Sequence, residues 1–294
     1  MSDKHFGWIK RPDQVEKFLA TLQQPLFADA GANLRDTGKG KTVLLYEAAR
    51  KVMGQDLDPG PQKIGDCVSW GWGGSVDLLA CVEVLAGEAE SFSWAQRTCT
   101  EAVYALSRVE YGQSDGSYED GSVGAWAAEA AAKGGYIGRD RLGEYDPKRA
   151  KEWGAKGLPD DIEPDAKKHT VKTVSLCKSY EEARDLIANG YPVPVCSGQG
   201  FSMTRDDKGY CRPQGTWMHC MKFVGVNDAG SRPALLCAQS WGKQSPTGPK
   251  GEHDIPDNSW WVDAQTATRM LNDGDSYAIA GFNGYQARTL DWLI

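Results

Sequence analysis

The 294-residue chain is predicted to be an α+β protein with its helices and strands in separate layers, on three observations. Segments with apolar spacing near 3.6 dominate about the first 190 residues, and short apolar or alternating runs bounded by turn residues follow them. The length suits one domain of roughly 220–230 residues carrying an N-terminal extension, ample for a hydrophobic core. Eleven tryptophans supply large rings to line a cleft or to fill gaps between layers.

Residues 1–59 read as the extension, a helical layer packing on a body that runs from 60 to 294. Within it DQVEKFLATLQ and TVLLYEAARKVMG each carry a helical stripe. The GKGKT that joins them, Gly38 to Thr42, has Arg35 where a phosphate loop needs glycine. In the body, SWGWGGSVDLLACVEVLA (Ser69 to Ala86) is apolar nearly all round, which predicts a buried helix ended by Gly87. SWAQRTCTEAVYALSRVEYGQ predicts a second, amphipathic helix, and SDGSYEDGS a turn-rich loop. Ser122 is the expected N-cap of a third helix, VGAWAAEAAAKGG. From about Arg139 to Lys172 the Gly, Pro, Asp and Lys content predicts surface loop. SYEEARDLIANG has the strongest local signals: Ser179 as N-cap, Glu181 and Glu182 in the first turn, and Gly190 after the end. YPVPVCSG, TWMHCMKFVGVND, ALLCAQSWG, SWWVDA and SYAIAGF then read as antiparallel strands.

A net charge of −7 and a pI near 5.2 argue against a nucleic-acid partner, which would need a basic face. No apolar run reaches the roughly 18 residues of a membrane span. MSDKHFGWIKRPD lacks the apolar core of a signal peptide, so the expected place of synthesis is cytoplasmic, with a virion location left open. The eight cysteines (67, 81, 99, 177, 196, 211, 220, 237) form no CxxC pair, and free thiols are expected. The four histidines do not cluster with carboxylates at ligand spacing, so no metal or cofactor is expected.

One thiol stands out. In PQKIGDCVSWGWGG, Cys67 follows Asp66 at an expected helix start, where unpaired N–H groups and the helix dipole favour an anion. Such a placement can depress a thiol pKa, and the thiolate then needs a proton acceptor nearby, usually His. His5 and His169 lie in polar segments and His253 in a Gly-Pro-rich loop. His219 instead lies inside an apolar strand, an odd choice for packing alone. Twenty residues further on, Gln239 offers an acceptor for the imidazole N–H, with Trp241 placed to shield that bond from water.

Together, Cys-Val-Ser-Trp ahead of a helix, His219 in an apolar strand and Gln-Ser-Trp-Gly at 239–242 resemble a papain-like cysteine peptidase. The resemblance covers roughly residues 60 to 285 and is closest in character to short bacterial and phage relatives. Cys67 and His219 are 152 positions apart, near the family's interval of about 130–150. EDGSVGAWAAEAAAKGGYI also resembles the family's Gly-rich cleft wall and the helix behind it. The resemblance implies a helical subdomain and an antiparallel sheet or barrel subdomain, with the active-site cleft between them. It implies Cys67 as nucleophile, His219 as base and Gln239 as orienting amide. Gln62 would be the side-chain donor of an oxyanion hole shared with the Cys67 N–H. Trp241 would cover the His–amide bond, and Gly121 and Ser122 would line the cleft along the substrate backbone.

The pattern departs from the family at several places. Gln239 stands for Asn, Gln62 precedes Cys67 by five positions where six are usual, Ile64 replaces a disulfide-forming Cys, and Met218 precedes His219 where many members have Asp or Asn. The 66 residues before Cys67 lack the helical signature of the family's inhibitory propeptide. The implied function is a thiol-dependent endopeptidase acting on peptide or protein substrates through an acyl-enzyme. The alternatives are an inactive papain-like scaffold among assembly partner subunits, for example of a virion, and a cell-wall amidase or transamidase with the same Cys–His order. Residues 1–59 would make the chain latent if they cover the cleft.

Overall fold

A computed structural model describes residues 5–57, 60, 62–88, 97–112, 119–242 and 244–290. Its helices are α1 (Pro12–Leu19), α2 (Tyr46–Met53), α3 (Cys67–Leu85), α4 (Thr100–Ala105), α5 (Gly124–Lys133), α6 (Pro147–Lys156), α7 (Tyr180–Ala188) and α8 (Ala264–Leu271), joined by single helical turns. The strands are β1 (Thr42–Val43), β2 (Thr173–Leu176), β3 (Val193–Arg205), β4 (Cys211–Asn227), β5 (Ala234–Ala238), β6 (Ser259–Asp263) and β7 (Tyr277–Ala280). Helices α3 to α6 make one half of the body and the β3–β6 sheet the other, the segregated α+β arrangement that the sequence predicts.

Strand β4 is the spine of the sheet. It pairs antiparallel with β3 along one edge, with β5 along the other, and with β1 at Val226 and Asn227. Strand β6 adds to β5, and bridges from Tyr210 to Trp261 and from Thr204 to Thr247 curl the β3–β4 hairpin round towards it. Strands β2 and β7 form a separate two-stranded ribbon. The first residues are built into this body: β1 extends the sheet, and Leu34, Leu45 and Tyr46 lie in the same core as α3 and β4.

Helix α3 is apolar on all sides and therefore has to be covered on all sides. It is covered by α2, α4 and β4, and it ends at Leu85, just ahead of the left-handed Gly87, as expected. Two glycines on α3 set how near β4 can come. A Cβ on Gly71 would lie 2.6 Å from Cys220 Sγ and 3.0 Å from the Met221 carbonyl, and one on Gly74 would lie 2.8 Å from Lys222 Cε. The helix and strand meet almost backbone to backbone there.

Several local expectations give way to longer-range contacts. TVLL is not helical: Thr42 and Val43 pair with β4, and the helix begins at Tyr46. The expected second helix starts only at Thr100, because Asp77 binds the Thr98 N–H (2.9 Å) and hydroxyl (2.6 Å) and Cys99 donates to the Ile137 carbonyl. It ends in a π-turn at Leu106–Glu110, and residues 93–96 of the expected helix and 113–118 of its end and the following loop lie outside the described residues. Ser122 does not cap α5; the Gly124 N–H goes instead to Asp275 Oδ2 at 2.7 Å. The segment 139–172 is not simply surface loop. It contains α6, opened by Asp146 and Pro147, and its Arg139 and Arg149 reach the fully buried Glu101 at 3.0 and 2.6 Å. Those two guanidiniums hold the Glu101 carboxyl below its usual range against the opposing effect of burial. Ser179 does cap α7, accepting the Glu182 N–H. Strand β2 and helix α8 had no separate signal.

Replacing Gly71 by Ala raises helix propensity but forces a methyl into Cys220 and the Met221 carbonyl. Gly71→Ala is expected to lower unfolding free energy by about 1–3 kcal/mol in urea titrations, the usual cost of overpacking.

Candidate active site

Cys67 is the first residue of α3, following Asp66 in the N-cap position. The start of the helix is held by Ser69, whose hydroxyl and N–H both bond back to the Asp66 carbonyl. The Cys67 sulfur accepts the Cys220 N–H at 3.3 Å. His219 is the residue just before that N–H, paired across to Ser197 on β3. The close approach at Gly71 thus brings the predicted nucleophile up against the strand that carries the predicted base.

The imidazole of His219 is fully buried and stacks on Trp241, with centroids 4.5 Å apart and planes 28° from parallel. Gln239 lies one residue beyond β5, and its Oε1 accepts the Trp241 N–H at 2.6 Å while its Nε2 donates to the Gln244 carbonyl at 3.0 Å. Asn258 grips the Gln239 carbonyl at 2.6 Å. Gln239 therefore fixes the 239–244 turn and, through it, the indole that lies on the imidazole.

Gln62 is also buried. Its Oε1 accepts from the Ser240 hydroxyl at 2.8 Å, and its Nε2 donates to the carbonyls of Ile64 (2.8 Å) and His5 (3.1 Å). Trp241 Nε1 donates to the same His5 carbonyl at 3.0 Å. Two N–H donors thus converge on a peptide oxygen of the chain's own N-terminal segment.

That segment fills the cleft. The Gly7 and Trp8 N–H groups both reach the Met218 carbonyl at 3.1 Å, Ser122 N–H donates to the Gly7 carbonyl, and Ile9 N–H donates to the Ser122 carbonyl. Gly121 lines the same stretch. It has φ +119°, it is clamped by the Tyr104 hydroxyl and the Arg108 guanidinium, and a Cβ there would meet Ile9 and the Gly7 carbonyl. Gly7 passes so close to Gly65 that any side chain would strike its carbonyl. Phe6 presents its ring edge-on to both Trp241 (5.6 Å) and His219 (6.2 Å). Cys67, His219, Gln62, Trp241, Gly121 and Ser122 therefore meet around residues 5–9, whereas Gln239 does not take its expected place: its Oε1 is spent on the Trp241 N–H of its own turn and not on the imidazole, so it acts on His219 only through the indole.

Occupation changes the electrostatics. The sequence predicts a depressed thiol pKa at a helix start. In this closed form burial pushes the Cys67 thiol well above its ordinary value, and the Cys220 thiol adds to the shift. The Cys220 and Gly7 N–H groups facing the sulfur offset this only in part. Asp66, dry except for the Tyr145 hydroxyl at 2.9 Å, is raised to about 8 by burial, and its Oδ1 has no hydrogen-bond partner among the described residues. Among the described residues there is no group of three or more His, Cys, Asp or Glu that could hold a metal ion.

Sequence reasoning missed two contributors. The occupying segment FGWI offered only a weak signal, a glycine between two large aromatic residues. Asp275, which binds the Trp8 indole N–H at 2.8 Å, offered none, since nothing local distinguishes it from other loop carboxylates.

No protein-family model matches the chain, and no curated protein matches it in sequence. Solved structures do resemble it in fold. The chain is similar to xylellain, a cysteine protease from Xylella fastidiosa, with a TM-score of 0.57 at 13% identity over 95% of this chain and 92% of that one. It is also similar to digestive procathepsin L 3 of Tenebrio molitor larval midgut, with a TM-score of 0.52 at 13% identity over 90% and 79% of the two chains. The fold is papain-like.

Two outcomes are expected. Phe6→Ala/Trp8→Ala in the full chain should raise the rate of Cys67 alkylation by iodoacetamide at pH 7 at least about tenfold, read by peptide mass spectrometry, because water re-enters around the sulfur. Burial also raises three carboxyls, Asp66 to about 8, Glu83 to about 7 and Asp275 to about 6. The folded chain keeps these protons where the unfolded chain has released them, so their stabilisation is complete below about pH 4 and is lost as pH rises to about 8. Thermal midpoints should fall from pH 5 to pH 8, and Asp66→Asn should flatten that slope.

Proposed function

We propose that the chain is a thiol-dependent peptide-bond hydrolase of the endopeptidase type, held latent by its own residues 5–9. The observation that carries this reading is the cleft's contents. An extended peptide lies against Cys67, its backbone held by Met218 and Ser122 and one carbonyl gripped by Gln62. A cleft that binds one peptide backbone by main-chain groups can bind another. It also continues past both ends of the segment, into a groove of about 1010 Å³ beyond His5 and one of about 370 Å³ beyond Lys10. Room on both sides favours cutting within a chain.

The residues divide the work by position. With the cleft open, the Cys67 sulfur gives its proton to His219 and attacks a peptide carbonyl, forming a C–S bond. The developing oxyanion is met by Gln62 Nε2 and the Cys67 N–H at the start of α3. The imidazolium returns its proton to the leaving amine as the C–N bond breaks, leaving a thioester. Water, deprotonated by His219, then attacks the thioester and frees the acid and the thiol. Trp241, set by Gln239, keeps the imidazole oriented and dry. The occupying segment escapes this fate because the Gly7 N–H, not a carbonyl carbon, faces the sulfur.

The specific observation favouring an inactive scaffold is the closed cleft itself, with a buried base and a thiol that burial pushes above its ordinary range. One experiment decides between the two. In the Phe6→Ala/Trp8→Ala chain, a peptidyl electrophile should label Cys67 selectively and fluorogenic peptides should be cut, and His219→Ala should lower both rates by at least about a hundredfold. Cys67 reacting no faster than the other seven thiols in the opened chain would sink the hydrolase. Gln62→Ala in the same background should cut kcat by about 10²–10³ while leaving KM nearly unchanged, as for loss of one oxyanion donor.

A further inference from the structure

The Trp8 side chain goes into the body of the protein while its backbone runs along the cleft. The indole is 2% exposed, and its Nε1 donates to Asp275 Oδ2 at 2.8 Å. Asp275 forms the floor of that pocket. Its Oδ2 also accepts the Gly124 N–H at 2.7 Å, and its Oδ1 the Tyr277 hydroxyl at 3.1 Å. Gly124 has no room for a side chain, because a Cβ there would lie 2.7 Å from Asp275 Oδ1. The donors facing this carboxylate, the Trp8 indole, the Gly124 and Ala125 N–H groups and the Tyr277 hydroxyl, are all neutral, and one of them belongs to the segment in the cleft. When the segment leaves, Gly124 and Tyr277 stay, and a dry carboxylate loses a donor it had.

Two residues further along, Lys10 Nζ donates to Asp273 Oδ1 at 2.6 Å at the rim of the same wall. Asp273 is anchored from behind by the Ser197 hydroxyl (2.9 Å) and the Gly198 N–H (2.8 Å). Alternate side chains of an extended chain fall on one face. One wall of the cleft therefore meets donors at positions i and i+2 of whatever peptide lies there.

We propose that Asp275 is a specificity-determining residue: the pocket now filled by Trp8 selects, in a peptide that displaces the segment, a side chain ending in N–H donors, arginine first. This deepens the peptidase reading and rests on it. The guanidinium is flat like the indole, satisfies the carboxylate with two donors and brings the positive charge that the pocket lacks. Lysine supplies charge without the flat fork, and tryptophan the donor without the charge. Leucine or phenylalanine fills the space but does not replace the donor that Trp8 gave the carboxylate, and glutamate adds a second negative charge. Asp273 favours a further cation two positions away.

The test separates binding from chemistry. The full chain carrying Phe6→Ala/Trp8→Ala and Cys67→Ser is titrated calorimetrically with hexapeptide amides that differ only in one central residue, Arg, Lys, Trp, Leu, Phe or Glu. The Arg peptide should bind at least about tenfold tighter than the Leu peptide, and Asp275→Asn, which keeps an acceptor for Gly124, should shrink that gap to about twofold. Equal or tighter binding of the Leu or Phe peptide, a gap that survives Asp275→Asn, or no binding of any peptide overturns the proposal. If Asp275→Asn does not fold, the ranking on the parent chain decides it. Because these titrations need no active thiol, loss of the Arg preference leaves the hydrolase standing, and an inert Cys67 leaves the pocket standing.

Discussion

Everything at the candidate site depends on how closely α3 can lie against β4. The approach is possible because Gly71 and Gly74 present no side chains to Cys220, Met221 and Lys222. Each glycine costs a helix interior roughly 0.5–1 kcal/mol relative to alanine. The return is geometric: the first turn of α3 delivers Cys67 to the Cys220 N–H, and with it to the strand position of His219. A bulkier helix face would hold the two halves apart and leave a thiol and an imidazole with no common neighbour.

The closed cleft follows the same principle at its outer edge. Residues 5–9 enter because glycines meet glycines: Gly7 on Gly65, and the Gly121 backbone on the Gly7 carbonyl and Ile9. The aromatic residues on either side of Gly7 then act differently. Phe6 packs edge-on to Trp241 and His219, whereas Trp8 buries its indole and ties it to Asp275. Closure of the cleft is thus both steric and electrostatic. The segment takes up the Met218 and Ser122 backbone groups that line the cleft, and the burial around the sulfur raises the Cys67 thiol above its ordinary value.

The elements most legible in the sequence were those with strong local signals. Helix α3 was readable from its unbroken apolar run and the glycine that ends it, and α7 from its Ser179 cap. The candidate nucleophile and base were readable for the same kind of reason, a thiol at a helix start and an imidazole in an apolar strand. Elsewhere local signals misled. The stretch 139–172 looked like surface because of its Gly, Pro, Asp and Lys content, yet its Arg139 and Arg149 are both spent on the buried Glu101. Ser122 looked like a helix cap, but its backbone is committed to the segment at Gly7 and Ile9, and a carboxylate from far along the chain caps the helix instead.

By itself the sequence determined the order of helices and strands, the α+β class and the identities of Cys67, His219, Gln62, Gln239 and Trp241 as a group worth testing. The order, the class and the choice of Cys67 and His219 rest on periodicity, caps and local composition, which act over a few residues, whereas Gln62 was implied only by the family resemblance. Only the tertiary structure decided what lies in the cleft, in which direction burial moves the thiol and what Asp275 binds. The decisive bond, Trp8 to Asp275, joins residues 267 positions apart, and desolvation exists only once both halves have closed on the segment. Burial and long-range hydrogen bonding are properties of the assembled packing, so no local pattern encodes them.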